Sequence, residues 1–444
     1  MKLIQTLTLA IAFVFCANCL DAQNFDKAKI DSLFTIIENA DKGMGSVSLF
    51  KDGKEIYSHT YGFADVEQKK KADSSTKYRI GSITKSFTAA IILKLQEEGK
   101  LSLTRKLSDF YPKVINADLI SIEDMLRHQS GIFNITNEEN YLEWNTKPMS
   151  KQQLLDKIIA DGSTFKPGAR FEYSNSNYIL LTFIAEDVTG ETFAALLDKY
   201  IIKVCGLKNT CWGEKINASQ NEAYSYSKFD TWKKESESDM SIPLGAGAIV
   251  STPYDLNLFY NSLFEGKIIN NKSLELMTVV KNNFGLGLFQ VPFYELKGFG
   301  HNGGIDGFLS NAYYFPSEKL GIAITSNSGI SFPLNDIIVG VLSIYSNKDY
   351  ELPKITSSET ITSEELDRLL GIYSSPMLPL KLTFTKDGVT LIAQGTGQPS
   401  FPLEYAGNNI FKSDAVKVKF HFFPDENRIE MEQMGQKFEF KKEK

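Results

Sequence analysis

Cleaving an acyl bond by covalent catalysis needs a hydroxyl and, beside it, a group that can take its proton. Serine followed three residues later by lysine supplies both, because positions i and i+3 share one face of a helix. The pattern occurs five times, at Ser48/Lys51, Ser74/Lys77, Ser82/Lys85, Ser163/Lys166 and Ser225/Lys228. Context separates them. Ser48/Lys51 runs from a strand into a turn, Ser74/Lys77 and Ser225/Lys228 fall in polar loops, and Pro167 disfavours helix at Lys166. Only Ser82/Lys85 opens a long apolar helix, and Gly81 just before it permits close backbone approach. A serine in the first turn of such a helix gains from the positive helix end, and its own free N–H can serve an oxyanion hole. A lysine buried there is costly and needs partners. The plain alternative makes Ser82 a helix cap and places Lys85 on a solvated face.

Two further stretches offer those partners. Phe171-Glu-Tyr173-Ser-Asn175-Ser-Asn177-Tyr178 is a dense polar-aromatic patch between Pro167-Gly168 and the apolar run Ile179–Ile184. Tyrosine held between cationic groups loses its proton more easily and can act as a base toward a serine. Asn175 could hold Lys85 and a substrate amide. Read blandly, the patch is a capped turn before a helix. The third stretch is Gly300-His301-Asn302-Gly303-Gly304-Ile305-Asp306-Gly307. Glycines let a substrate backbone lie along a strand edge, where a bare N–H can complete an oxyanion hole. His301 is one of four histidines, with His59, His128 and His421; a lone histidine is more often structural.

The elements that must position these groups are readable from periodicity and caps. An amphipathic helix over about Phe25 to Asn39 precedes a hairpin in which Val47, Leu49 and Ile56, Tyr57 flank Lys51-Asp52-Gly53-Lys54. The Ser82 helix runs to about Glu98 and stops at Gly99. Ser121 and Thr252 are N-caps, with Asp124 placed for a capping box and Pro253 at the first helical position. Strand-like runs return at Phe299–His301, Leu309–Tyr314 and Gly321–Ser326. Strands at both ends of the segment with helices between them predict an antiparallel sheet with helices on its faces. Residues 347–363 are polar and contain Pro353, and read as a linker. Beyond it the period is two, and turns such as Asp387-Gly388 recur every 8–12 residues, as in a small β-sandwich or barrel.

Composition bounds the function. The 444 residues are 42% hydrophobic and 23% charged, with a net charge of −6. That balance excludes a disordered chain and gives no basic patch for nucleic acid. Lys2, the apolar run Leu7–Phe15 and small residues before Gln23 read as a signal peptide over residues 1–22. The run is too short to span a bilayer, which takes about 20 apolar residues, so the expectation is an exported protein, periplasmic or secreted. Lipoprotein processing at Cys16 or Cys19 is disfavoured by Phe15 and Asn18. Signal removal leaves Cys205 and Cys211, which could pair in an oxidising compartment or stay as two buried thiols. No His-Glu-x-x-His or Cys/His cluster suggests a metal.

Three motifs stand in order: Ser82-Ile-Thr-Lys85, Tyr173-Ser-Asn175 and His301-Asn-Gly303. With the flanking Arg79-Ile-Gly, Leu126-Arg-His-Gln-Ser-Gly-Ile, Gly245-Ala-Gly-Ala and Gly300-His-Asn-Gly-Gly, the chain resembles the serine β-lactamase-related family over roughly residues 25–345. That family comprises class C β-lactamases, D-alanyl-D-alanine carboxypeptidases, D-aminopeptidases and related esterases. The resemblance implies an α+β, β-lactamase/transpeptidase-like hydrolase domain over residues 23–346, an antiparallel sheet flanked by helices plus an all-helical lobe, followed by a small C-terminal β-barrel as the all-β domain (364–444). It implies Ser82 as the acylated nucleophile, with Lys85 and Tyr173 sharing general-base and proton-return work. Asn175 would orient Lys85 and the substrate amide, and His301 and Gly303 would line the site. The N–H groups of Ser82 and Gly304 would form the oxyanion hole, and His128 would be structural. No metal or organic cofactor is implied. One departure matters: class C enzymes usually carry Lys-Thr-Gly where this chain has His301-Asn302-Gly303. Without that ammonium to hold a substrate carboxylate, the expectation is hydrolysis of peptides, amides or esters, D-amino-acid peptides first, with weak β-lactam turnover. A small-ester hydrolase is the alternative enzyme. A non-catalytic penicillin- or wall-peptide-binding protein is the alternative of another class.

Overall fold

The computed structural model describes residues 25–443 apart from 229–230, 330–331, 356–360, 377, 397, 399, 414–415 and 434. The expected signal peptide, with Cys16 and Cys19, lies outside the described residues.

A six-stranded antiparallel sheet organises the first three quarters of the chain. Its strands are β1 (Gly45–Lys51), β2 (Lys54–Tyr61), β3 (Phe289–Phe293), β4 (Leu296–Ile305), β5 (Phe308–Phe315) and β6 (Leu320–Ser326), in the order β3-β4-β5-β6-β1-β2. Both chain ends of this unit thus meet in one sheet, as the strand-like runs predict, and β1 pairs with β6 in register from Gly45 opposite Ser326 to Lys51 opposite Leu320. One face is covered by α1 (Lys27–Asn39) and by the late helix Leu334–Tyr345, whose Ile30, Leu33, Phe34, Ile337 and Val341 pack on Val47, Leu49, Ile322 and Ile324.

The larger core lies in the helical lobe. At its centre is α2 (Thr84–Glu97), buried on nearly every side from Thr84 to Leu93. A helix apolar all round belongs in an interior, and Phe87 stacks on Phe259 with ring centroids 3.7 Å apart. Beside it runs α3 (Asn175–Thr189), closed by Gly190 in the left-handed conformation. Ser121 and Thr252 accept the predicted capping bonds from Asp124 and Asp255 N–H.

Eight antiparallel strands from Gly371–Ser375 to Gln436–Lys442 close into a barrel around Tyr373, Phe384, Phe420, Phe422 and Phe440. The stretch between the two units is less of a linker than its polarity suggests. Tyr350, Leu352 and Ile355 pack against the sheet's core. At the other end, Thr362 caps Ser363–Asp367, whose Leu366 enters the barrel core. Isolated apolar residues in a polar run leave no period to detect. No helix among the described residues is long and apolar enough to cross a membrane. Cys205 and Cys211 are free thiols, and burial pushes the Cys205 thiol up to about 11.

Candidate active site

Ser82 sits in a single 3₁₀ turn, Gly81–Ile83, that leads into α2. The sequence predicts one helix from Ser82; the tighter turn arises because Gly81 takes a positive φ of 50°, which offsets Ser82 from the helix proper. Ser82 is partly exposed, whereas Lys85 is wholly buried. A substrate can therefore reach the hydroxyl without reaching the amine.

The Lys85 Nζ lies 3.0 Å from Ser82 Oγ, 2.7 Å from Asn175 Oδ1 and 2.7 Å from the Ala246 carbonyl. Burial without a carboxylate partner pushes its pKa well below the ordinary lysine value. A neutral amine has two N–H bonds and one lone pair. The amide and carbonyl oxygens can only accept, so they take both N–H bonds. In that form the lone pair faces Ser82, which can donate its proton to it; in the charged form Lys85 Nζ donates to Ser82 Oγ instead.

Each acceptor is held in turn. Asn175 opens α3, and its Nδ2 donates to Asn134 Oδ1 and Thr136 Oγ1 at 3.2 and 3.0 Å, which fixes Oδ1 toward Lys85. Ala246 sits in a turn docked on both lobe helices: Gly245 N–H donates to Thr182 Oγ1 at 2.9 Å, and Thr88 Oγ1 donates to Gly245 O at 2.7 Å. A Cβ on Gly245 would stand 2.3 Å from Thr182 Oγ1. The Ala246 carbonyl, Asn134 and Thr136 are absent from the residues singled out by sequence. The Gly245-Ala-Gly-Ala run was the one trace of the turn; a backbone oxygen leaves no residue-type signal.

Tyr173 shares a hydrogen bond with Ser82, and the Lys85 Nζ lies 4.8 Å from the centre of its ring. The expectation of an easily ionised tyrosine between cations does not describe this resting site. Desolvation pushes the phenol above its ordinary range. Of the neighbours expected to be cationic, burial pushes Lys85 well below its ordinary value, and burial followed by the nearby Lys85 pushes His301 down to about 3. Tyr173 therefore rests as a phenol, a proton donor.

The structure brings β4 against this group. A Cβ on Gly303 would come within 2.0 Å of Ile80 O, and one on Gly81 within 2.8 Å of Gly304 N. Backbone meets backbone there, and only glycines allow it. Gly304 is exposed beside the partly exposed Ser82, so the backbone of both residues reaches the surface at this contact. His301 stands on β4, at depth rather than at the surface. It is wholly buried, its Nδ1 lies 2.5 Å from Asn302 O, and its ring packs among Phe284, Phe289 and Tyr173. Its ring stands beside Tyr173, and its Nε2 meets no hydrogen-bond partner among the described residues. His128 accepts from Ser174 N–H at 3.1 Å and packs 4.3 Å from the Tyr173 ring. Among the described residues, a cleft of about 800 Å³ is lined by Thr146, Trp212–Lys215, Glu235–Ser241 and Leu244, the last in the turn that carries Ala246.

Residues 36–337 match the model of the Beta-lactamase family. The chain belongs to that family. The relative "Protein flp" of Staphylococcus aureus (strain MRSA252) is 28% identical over 299 residues, which cover 64% of this chain and 59% of that protein. The chain thus spans about three fifths of that relative's length. Among solved structures, the D-amino acid amidase of Ochrobactrum anthropi SV3 complexed with D-phenylalanine superposes with a TM-score of 0.65 at 25% identity, covering 72% of this chain and all but 1% of its own, since 99% is matched. The octameric penicillin-binding protein homologue of Pyrococcus abyssi superposes with a TM-score of 0.65 at 24% identity. It covers 94% of this chain and 100% of its own, so the shared fold includes the barrel. The fold is the β-lactamase/transpeptidase-like one.

Proposed function

We propose that the protein is an exported serine hydrolase that cleaves amide or peptide bonds next to D-amino acids through an acyl-enzyme. The observation that carries this is the buried Lys85 amine, whose Nζ lies 2.7 Å from both Asn175 Oδ1 and the Ala246 carbonyl and 3.0 Å from Ser82 Oγ, where burial lowers its pKa toward that of a base. Ser82 Oγ attacks the carbonyl carbon as its proton passes to Lys85 Nζ. The oxyanion is received by the N–H groups of Ser82 and Gly304. The Tyr173 phenol gives its proton to the leaving amine and recovers one from Lys85. Water then attacks the acyl-enzyme by the reverse proton route, which frees the acid and restores Ser82.

The substrate class draws on the D-amino acid amidase neighbour, whose 25% identity and near-complete coverage include the site-bearing domain. Weak β-lactam turnover follows from His301: a buried neutral imidazole offers no cation to a drug's carboxylate. The test is a panel of D- and L-amino-acid amides, D-alanyl peptides, p-nitrophenyl esters and nitrocefin. The expected result is preference for D-amides, loss of all turnover in Ser82→Ala, and slow nitrocefin hydrolysis. Activity confined to esters would replace this reading with the esterase one. A folded protein that a fluorophosphonate does not label at Ser82 would make it a binding protein.

A further inference from the structure

The mechanism asks two N–H groups, on Ser82 and Gly304, to hold one oxygen, yet they belong to elements more than two hundred residues apart. Between them is a bare glycine contact. It has no side chain of its own to set its spacing. Something must fix the distance.

Among the described residues, an ion pair bridges these two elements, and its partners Glu214, Glu237 and Ser238 line the neighbouring cleft. Arg79 lies three residues before Ser82, in a short strand, Tyr78–Arg79, that pairs with Ile249–Ser251. Asp306 lies two residues after Gly304, at the turn between β4 and β5, with a positive φ of 52°. Arg79 donates to Asp306 Oδ2 at 2.8 Å, and the two side chains are only 2% and 3% exposed. Asp306 keeps its backbone in solvent and tucks its carboxylate inward. Its other oxygen accepts from Ser238 N–H and Ser238 Oγ at 3.0 and 2.6 Å. Arg79 also donates to the carbonyls of Ser238 and Glu214, both at 3.0 Å, and to Glu237 at 3.2 Å. A separate, neutral tie runs from Ser310 Oγ on β5 to Ile80 O at 2.8 Å.

Building on the hydrolase reading, we propose that the buried Arg79–Asp306 pair is a positioning clamp that sets the separation of the two oxyanion-hole N–H groups. The pair is charge-assisted, desolvated and anchored on both sides, so it is stiff where the glycines are not. It touches no reacting atom. Its effect reaches the chemistry through three residues of backbone on one side and two on the other.

Asp306→Asn tests this with little change of shape. The Asn oxygen can still accept from Ser238, but its amide turns a donor toward Arg79, and the clamp is lost. Arg79→Lys keeps the charge and loses the planar fork, which provides a second variant should the first not fold. The probes are p-nitrophenyl acetate and its thionoacetate analogue, in which sulfur replaces the carbonyl oxygen and fits a tight hole poorly. The expected result is a kcat on the oxoester reduced at least ~10-fold, toward the ~10²–10³ that removal of a whole oxyanion donor costs. KM should change little, and the oxo-to-thiono rate ratio should fall because a loosened hole discriminates less. Equal losses on both esters, or no loss, would overturn the clamp. A wild-type protein whose Ser82 resists fluorophosphonate would instead overturn the hydrolase reading, and the clamp with it.

Discussion

The Lys85 amine is a base only while it lacks its third proton, and burial disfavours that proton. Burial pushes it well below the ordinary lysine value, while burial pushes the Tyr173 phenol above the ordinary tyrosine value. The base needs the deprotonated form, so kcat/KM should fall as pH drops through the lowered Lys85 pKa. The acid needs the protonated form, so the alkaline limb should lie above the usual tyrosine value of about 10. His301, pushed down to about 3, and His128, pushed well below 6.5, should add no limb near pH 6.5. A pH–rate profile checks this; an acid limb at the ordinary lysine pKa would contradict it. The same shift appears in stability. Between the folded pKa and an unfolded value of about 10.4, the unfolded chain binds a proton that the folded site refuses, so stability rises with pH. Relative to Lys85→Met, the wild type should lose up to about 1.4 kcal/mol per pH unit as pH falls across that interval. Urea unfolding of both proteins at several pH values between 7 and 9 measures the slope and its sign.

Elements supply the backbone that these side chains need. Gly81 bends the chain into Ser82 and lets β4 approach; a Cβ there meets Gly304 backbone within 3.0 Å and must also adopt a φ of 50°. Gly81→Ala should push β4 outward and lower kcat by about 100-fold, the scale of one lost oxyanion donor, with a measurable fall in melting temperature. Unchanged kinetics in Gly81→Ala would mean that β4 is not part of the hole. The legible and illegible parts of this site divide along the same line. Ser82, Lys85, Tyr173 and Asn175 could be chosen because their side chains carry chemistry and because caps, glycines and period told helix from loop around them. The Gly99 stop and the Ser121 and Thr252 caps are local signals of the same kind. The Ala246 carbonyl could not be chosen, since every residue has one. The neutrality of Lys85 and the burial of His301 depend on what surrounds them from distant segments, and a motif says nothing of its own desolvation. Apolar Tyr350, Leu352 and Ile355 were hidden in a polar stretch for a related reason: three contacts without a period look like a linker.

At the scale of the whole molecule, the barrel has its own aromatic core and touches the hydrolase unit through ion pairs. Lys42 meets Glu404 and Lys233 meets Asp387, all partly or well exposed. Pairs of this kind contribute about 0–1 kcal/mol each, too little for the catalytic unit's fold to depend on them. Their positions matter more than their strength. Lys233 lies on the hairpin Tyr226–Lys228 and Trp232–Lys234, and the chain runs straight on from there into Glu235–Ser241, one wall of the 800 Å³ cleft. Asp387 thus holds the strand that leads to the cleft, not the groups around Ser82. A chain ending at residue 355 keeps Tyr350, Leu352 and Ile355 on the sheet's core. It should fold and retain kcat on a small p-nitrophenyl ester within about twofold, and, on the proposed peptidase reading with the cleft as the place for longer peptides, raise KM for them. Lys233→Ala in the full chain should shift KM in the same direction by less, because one exposed pair is removed rather than the whole barrel. The two measurements together separate a wall held in place from a barrel that binds substrate itself: a large KM effect of truncation with none from Lys233→Ala would assign binding to the barrel. Unchanged kinetics on every substrate, with unchanged mass in solution, would leave the barrel no part in access or assembly.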